Sequence, residues 1–328
     1  MDKNKPKIFV TGGAGFIGAH LTNFLLDNSN SEVTIYDNFE NGKYYHLGDR
    51  IKSNRLQIIN GDVKDLGKLT NSMVGHDGVY HFSSNADIAA SENDPTIDFW
   101  NGTYLTHNVL EAMRINRINK VLFTSGSGVY GEVPNYPISE NYEKMIPIST
   151  YGSCKLSSES LISAYSHMFG ITGIVVRFAN VVGPQQTHGV AYDFIRRLSH
   201  DPEKLKIFGD GNQSKPYIHI FDILDALKLL VSKFNTGYNV FNVGSSDSLT
   251  VKNIADLVVK KMGLKNVKYN FTGGARGWKA DVPIYQLDTS KIRSLGWKNK
   301  LNSFEAVEHA VESMIIDVKK GNIKSSSI

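Results

Sequence analysis

Tyr151 and Lys155 stand four residues apart in Tyr151-Gly152-Ser153-Cys154-Lys155. On a helix this spacing puts a phenol and an ammonium on one face, one turn apart. A cation beside a phenol favours phenolate, and a phenol brought down from its ordinary pKa of about 10 toward neutrality is a general base. Taken alone the pair is an ordinary neighbour relation along a helix. It gains weight from Thr11-Gly12-Gly13-Ala14-Gly15-Phe16-Ile17-Gly18 near the N-terminus. There Gly12 permits a tight turn, Gly15 a close backbone approach to a pyrophosphate, and Gly18 close packing of helix on strand. Phe16 and Ile17 open the helix whose N-terminus receives the phosphate charge. The two motifs together point to a bound dinucleotide with a proton-transfer group beside it, and a nicotinamide cation there would lower the phenol further.

These groups need a scaffold, and the neighbouring pattern supplies one. Lys7 to Val10 is a short apolar run of strand character, and Ile17, Leu21, Phe24 and Leu25 share one face of the following helix. About twenty residues beyond the glycines, the strand-like run Val33 to Tyr36 ends in Asp37, followed by Asn38. A carboxylate there accepts hydrogen bonds from a ribose 2′-hydroxyl and repels a 2′-phosphate, so NAD is expected rather than NADP. Further strands are predicted at Leu56 to Asn60, Val79 to Phe82, Val121 to Phe123 and Ile174 to Phe178, alternating with helices such as Thr96 to Met113 and Ser157 to Phe169. That alternation predicts an α/β fold, a doubly wound parallel sheet of Rossmann type. Beyond about Asn180 the strands shorten (Lys206 to Phe208, Tyr217 to Ile220, Asn239 to Val243) and mix with glycine-rich loops. The expected division is an NAD-binding domain over 1–180, to which part of 209–246 returns, and a smaller mixed α/β substrate lobe over 181–328. The Lys-, Asn- and Ser-rich tail from about 319 is expected to be flexible.

Composition narrows the function classes. The chain has 328 residues, with 36 basic and 32 acidic side chains interspersed to give a formal net charge of +4. No basic patch for nucleic acid follows from that balance. Apolar runs are cut short, as Ile174 to Val176 is by Arg177, so no membrane span is expected. The single cysteine, Cys154, rules out an intrachain disulfide framework and fits a reducing compartment, so a cytoplasmic location is expected. Ten dispersed histidines form no His-Glu-x-x-His or Cys/His cluster, and no metal is expected.

Other ordered segments carry a family likeness. They include Gly61-Asp62-Val63, Val79-Tyr80-His81-Phe82, Val129-Tyr130-Gly131, Arg177 to Pro184, Gly209-Asp210-Gly211, Tyr217-Ile218-His219, Phe241 to Gly244 and Gly277 to Val282. With the glycine turn and the Tyr151/Lys155 pair, the chain resembles the extended short-chain dehydrogenase/reductase family nearly end to end. Within it, the chain is similar to the nucleotide-sugar epimerases of the UDP-glucose 4-epimerase type.

The resemblance implies that Asp62 and Val63 lie at the adenine, that Phe82, Ser83 and Ser84 lie along the pyrophosphate and ribose, and that Lys155 also holds the nicotinamide ribose. It places Asn85, Asn180 and Val190 at the sugar nucleotide. Lys215, before the aromatic Tyr217, and Arg276 become diphosphate ligands, and Asp281 a ligand of the nucleotide ribose. Lys215 stands where many relatives carry arginine, so it offers a point charge without the bidentate fork. The implied reaction is NAD-dependent epimerisation of a nucleotide-diphosphate sugar, a UDP-sugar foremost, through a 4-keto intermediate, by a homodimer packed through the helices at 96–113 and 157–169. One position departs from the pattern. Gly126 occupies the place where relatives usually carry the Ser or Thr that hydrogen-bonds the 4-hydroxyl. Ser125 or Ser127 is left to supply that group, with Ser127 expected to matter more, or Tyr151 contacts the sugar directly. Dehydratases of the family place Asp-Glu where Ser127 and Gly128 stand. A 4-ketosugar reductase needs no sugar rotation but prefers NADPH, which Asp37 disfavours. A catalytically weak NAD- or nucleotide-sugar-binding protein is the remaining alternative.

Overall fold

The structure, a computed structural model, describes residues 5–85, 89–133 and 137–323. The chain divides into two compact units, Met1–Val129 with Ile146–Arg177 and Ala226–Phe241, and Tyr130–Met145 with Phe178–Asp225 and Asn242–Ile328.

The first unit carries six strands early in the chain: β1 (Lys7–Thr11), β2 (Glu32–Asp37), β3 (Leu56–Asn60), β4 (Gly78–His81), β5 (Lys120–Gly126) and β6 (Thr172–Phe178). Four short strands follow, β7 (Asn180–Val182), β8 (Lys204–Ile207), β9 (Ser214–Lys215) and β10 (Tyr217–His219), and then β11 (Tyr238–Val243). The seven-stranded sheet has the order β11-β6-β5-β4-β1-β2-β3. Pairings from β3 across to β5 are parallel, with Val10 opposite Ile35 on one side and Tyr80 on the other. Strand order reverses between β1 and β4, and in open parallel sheets ligands bind at the carboxyl ends of the strands flanking such a switch. The glycine turn follows β1 there, and Phe82 follows β4.

Helices α1 (Phe16–Asn28), α2 (Leu66–Ser72), α3 (Thr96–Asp98), α4 (Tyr104–Asn116) and α5 (Thr150–Phe169) accompany this sheet. Phe9, Val79, Val121, Phe123 and Val175 of the strands pack with Leu69, Val109, Leu110, Met113 and Ile162 of the helices. Strands covered in this way read as near-continuous apolar runs rather than alternating ones. The helix expected over 96–113 is broken: α3 passes through a wide turn at Phe99–Thr103 before α4 begins, with Asn101 at φ −104° and ψ 22°. The Asn101 carbonyl is taken by the backbone N–H of Asn85 at 2.8 Å, which diverts it from regular helical bonding. Helix α5 begins seven residues before the predicted start because Ser149 caps it, accepting the Gly152 N–H at 3.0 Å, and it stops at Gly170, which has φ 70°. Below the site, Arg177 of β6 grips Glu159 of α5 through Nη2–Oε2 (2.6 Å) and Nε–Oε1 (3.1 Å), both side chains buried.

The second unit centres on α6 (Val190–His200), and on two helices met after α7 (Ile220–Lys233): α8 (Val251–Lys261) and, beyond α9 (Ser290–Ser294), α10 (Ser303–Lys319). Phe194, Ile195, Leu198, Ile254, Val258, Val307, Val311 and Met314 form its core. Small sheets pair β7 with β10, β9 with β12 (Leu249–Thr250), and β8 with β13 (Lys268–Phe271). Ile323, in the stretch expected to be flexible, is buried against this core, while 324–328 lie outside the described residues.

Candidate active site

The glycine turn is built by close approach. Gly12 has φ +68°, and a β-carbon there would meet the Ser83 nitrogen at 2.8 Å; one at Gly18 would meet the Gly12 carbonyl oxygen at 2.1 Å. A side chain at either position would therefore push the turn away from β4 or from α1. Asp37 at the end of β2 is buried, and its Oδ2 accepts the Ala14 N–H at 2.9 Å while Oδ1 accepts that of Phe39 at 2.9 Å. The carboxylate is thus fixed against the turn it was expected to serve. Exposed Asn38 bonds Glu40, Phe16 is buried, and Ile17 is half-buried behind it. These residues fit a dinucleotide: a bare backbone turn opens a helix N-terminus, with a carboxylate at the neighbouring strand end.

Along the cofactor side, Asp62 Oδ1 accepts the Lys64 N–H at 2.8 Å, and buried Val63 offers its carbonyl to Asn108 at 3.0 Å. Phe82, Ser83 and Ser84 are half-buried just after β4. Asn85 is committed within the protein, donating its side-chain amide to Asp98 at 2.8 Å.

Tyr151 and Lys155 lie on α5 as expected, with the Lys155 Nζ 5.5 Å from the Tyr151 ring centre and 4.9 Å from that of Phe123. Lys155 is buried and donates to the Thr124 carbonyl of β5 at 2.8 Å. Burial lowers its pKa to about 8, against the raising pull of Glu159 and Asp98. Burial, then the Asp98 charge, push Tyr151 up to about 12, so the ammonium alone does not make a phenolate in the cofactor-free chain. Burial also raises the half-buried Cys154 thiol, as suits a packing residue rather than a nucleophile.

Side chains alternate along a strand, so Ser125 shares a face of β5 with Phe123, the face over which Lys155 lies. Ser125 is 5 % exposed, and its hydroxyl has no hydrogen-bond partner among the described residues. A buried hydroxyl left so costs about 1–3 kcal/mol, and a ligand oxygen would satisfy it. Ser127 is half-buried in the short helical turn Ser127–Tyr130. Gly126 ends β5 with no side chain to offer. The joint between strand end and helix is tight: a β-carbon on Gly152, next to Tyr151, would lie 2.4 Å from the Gly128 carbonyl oxygen.

In the second unit, Lys215 of β9 and Arg276 are brought together at Asp281. Lys215 Nζ pairs with Asp281 Oδ1, Arg276 Nη1 donates to the Asp281 carbonyl at 2.9 Å, and the Gly277 N–H reaches Asp281 Oδ2 at 2.9 Å. Arg276 also pairs with Glu132. Asn180 donates its amide to the Pro216 carbonyl at 3.2 Å and the Tyr285 hydroxyl oxygen at 3.1 Å. Tyr217 is buried in the core, and Val190 opens α6 half-buried against it.

Asp98 escaped the sequence reading. It is 1 % exposed, and it contacts Asn85 and Thr150, residues that no spacing rule connects to it.

A doubly wound sheet that carries a glycine turn after β1 and a phenol–ammonium pair on α5 defines an extended short-chain dehydrogenase/reductase. Residues 8–244 match the NAD dependent epimerase/dehydratase family, and the chain belongs to it as an NAD-dependent enzyme of the sugar-epimerase type. A UDP-glucose 4-epimerase of Corynebacterium glutamicum is 31% identical over 268 residues, which cover 76% of this chain and 79% of that one. The solved UDP-glucose 4-epimerase of Thermotoga maritima, with UDP-glucose, superposes at a TM-score of 0.85 with 30% identity, over 95% of this chain and 99% of that one. That of Thermus thermophilus, complexed with NAD, superposes at 0.82 with 27% identity, over 94% and 99%. No helix among the described residues is long and apolar enough to cross a membrane.

Proposed function

We propose that the protein inverts carbon 4 of a UDP-hexose through a transient 4-keto sugar. The observation that carries this reading is the Lys155 ammonium, 5.5 Å from the Tyr151 ring centre and lying over the β5 face that carries Ser125, whose buried hydroxyl has no hydrogen-bond partner among the described residues. NAD, held by the turn at Gly12–Gly18 and by Asp37, would supply the hydride acceptor and donor for carbon 4. Tyr151 removes the proton of the 4-hydroxyl as the carbon–hydrogen bond breaks, and gives it back to the 4-keto oxygen once the hexose has presented its other face. Lys155 keeps positive charge near the phenolate, and Ser125 donates a hydrogen bond to the 4-oxygen. Lys215 and Arg276 hold the diphosphate, and Asn180, Val190 and Asp281 serve the nucleotide, with Tyr217 supporting them from the core.

Two other readings are weaker. Ser127 and Gly128 offer no carboxyl for the acid and base work of a dehydratase. A reductase drawing on NADPH conflicts with buried Asp37 at the ribose position. The relatives support a UDP-sugar, and a cytoplasmic homodimer is part of the proposal, with Phe99, Trp100, Met168 and Phe169 exposed on the two helical segments expected to pair. Purified protein given UDP-glucose without added cofactor is expected to yield its 4-epimer by product NMR. Both UDP-hexoses remaining unchanged with NAD-loaded protein would remove the reading. Light scattering tests the dimer.

A further inference from the structure

We propose that Asp98 is a positioning residue for the Tyr151–Lys155 pair, a buried carboxylate that ties the first turn of α5 to the loop leaving β4. The inference deepens the reaction proposed above and rests on Tyr151 being its base.

Asp98 closes α3 just before the wide turn at Phe99–Thr103. Its Oδ2 accepts the Thr150 hydroxyl at 2.6 Å, and its Oδ1 accepts the Asn85 amide at 2.8 Å. Thr150 is the first residue of α5 and the immediate neighbour of Tyr151. Asn85 lies two residues beyond Ser83, whose backbone abuts the glycine turn. One carboxylate therefore spans from the cofactor loop to the base, and the backbone bond from Asn85 to Asn101 fastens the same loop a second time.

The charge needs explaining as much as the tether. Burying a carboxylate is expensive unless a cation pairs with it, and an asparagine could hold both neighbours at lower cost. Among the described residues no lysine or arginine forms an ion pair with Asp98; its partners are a neutral hydroxyl and a neutral amide. Its field is therefore spent on α5. The charged and titratable groups around the pair in this unit are Asp98 from α3, Cys154 and Glu159 from α5, and His81 from β4. Asp98 raises both Tyr151 and Lys155, holding the phenol protonated and helping the lysine keep its charge. A fixed negative charge also favours a cation arriving beside the phenol, so base formation is coupled to cofactor binding rather than standing in the free chain.

Asp98→Asn keeps size and hydrogen bonding but removes the charge, whereas Thr150→Val keeps the charge and cuts the tether. Tyrosine ionisation at 295 nm, taken as the difference between each protein and its Tyr151→Phe counterpart, is expected to move down by about 1 pH unit in Asp98→Asn. Because the lysine loses the same support, both limbs of its pH–turnover curve move to lower pH. In Thr150→Val, turnover falls about tenfold with the curve in place, as for a base misplaced by a fraction of an ångström. An unmoved tyrosine ionisation in Asp98→Asn, with turnover merely scaled down, overturns the electrostatic part. Wild-type turnover in Thr150→Val overturns the tether, and this holds even where Asp98→Asn fails to fold. The ionisation measurement uses no substrate, so a shifted tyrosine in a protein inactive on UDP-hexoses would sink the epimerase reading while leaving Asp98 in its role.

Discussion

Lys155 in the first unit and Lys215 in the second are both enclosed lysines, handled in opposite ways. Lys155 is nearly sealed from water yet among the described residues has only a backbone carbonyl in hydrogen-bond contact, and its pKa falls to about 8. Lys215 is held by the buried carboxylate of Asp281, with Arg276 bound to the same residue. The first arrangement leaves a charge whose strength depends on its surroundings, as proton transfer requires. The second stores cations in a preassembled set, suited to an anion that exchanges partners with Asp281. On the proposed function, burial without a counter-ion goes with proton transfer at Lys155, and pairing with Asp281 goes with anion binding at Lys215.

That contrast can be broken at several points. Tyr151→Phe is expected to lower turnover by roughly a thousandfold while NAD stays bound, because it deletes the general base and little else; a mild loss would mean that another group carries the proton. Arg177→Ala strips the counter-ion from buried Glu159 and should cost about 3–5 kcal/mol of stability in denaturant melts, as for any broken buried pair. This would set a purely architectural ion pair apart from both lysine sites. Lys155→Met should cost about a hundredfold in turnover. Lys155 is charged below its pKa near 8 and neutral above it, so wild-type turnover should fall as pH rises through that region, and that limb should vanish in the variant. Lys215→Ala should instead raise KM for the UDP-sugar about tenfold with kcat little changed, the mark of uniform binding. The smallest effect separates the two serines: Ser125→Ala should slow turnover about fivefold, as for one lost hydrogen bond, and Ser127→Ala less. This reverses the ranking expected from the sequence.

Local patterns carried much of the fold. The glycine turn and the apolar strand runs each act through neighbours within a few residues, so spacing exposes them. Strand β11 could be assigned to the first sheet only as an expectation, since its run resembles other short strands nearby. The break at Phe99–Thr103 was hidden because its cause is an N–H from Asn85, outside the segment. Asp98 was hidden for the same reason, as positions 85, 98 and 150 meet only after the chain has folded. The burial of the phenol was hidden because spacing reports the neighbouring ammonium but not the loss of water around the ring. Position alone ranks Ser127 above Ser125, and the order reverses because Ser125 shares the face of β5 over which Lys155 lies.

The contact between Gly152 and Gly128 has a consequence for anyone wishing to redesign this enzyme. With 2.4 Å available to a β-carbon, even alanine must wedge the helix bearing the base off the strand end. A saturation library over 149–155 screened for turnover should return glycine alone at 152. On the proposed function, new substrate range is better sought away from this joint.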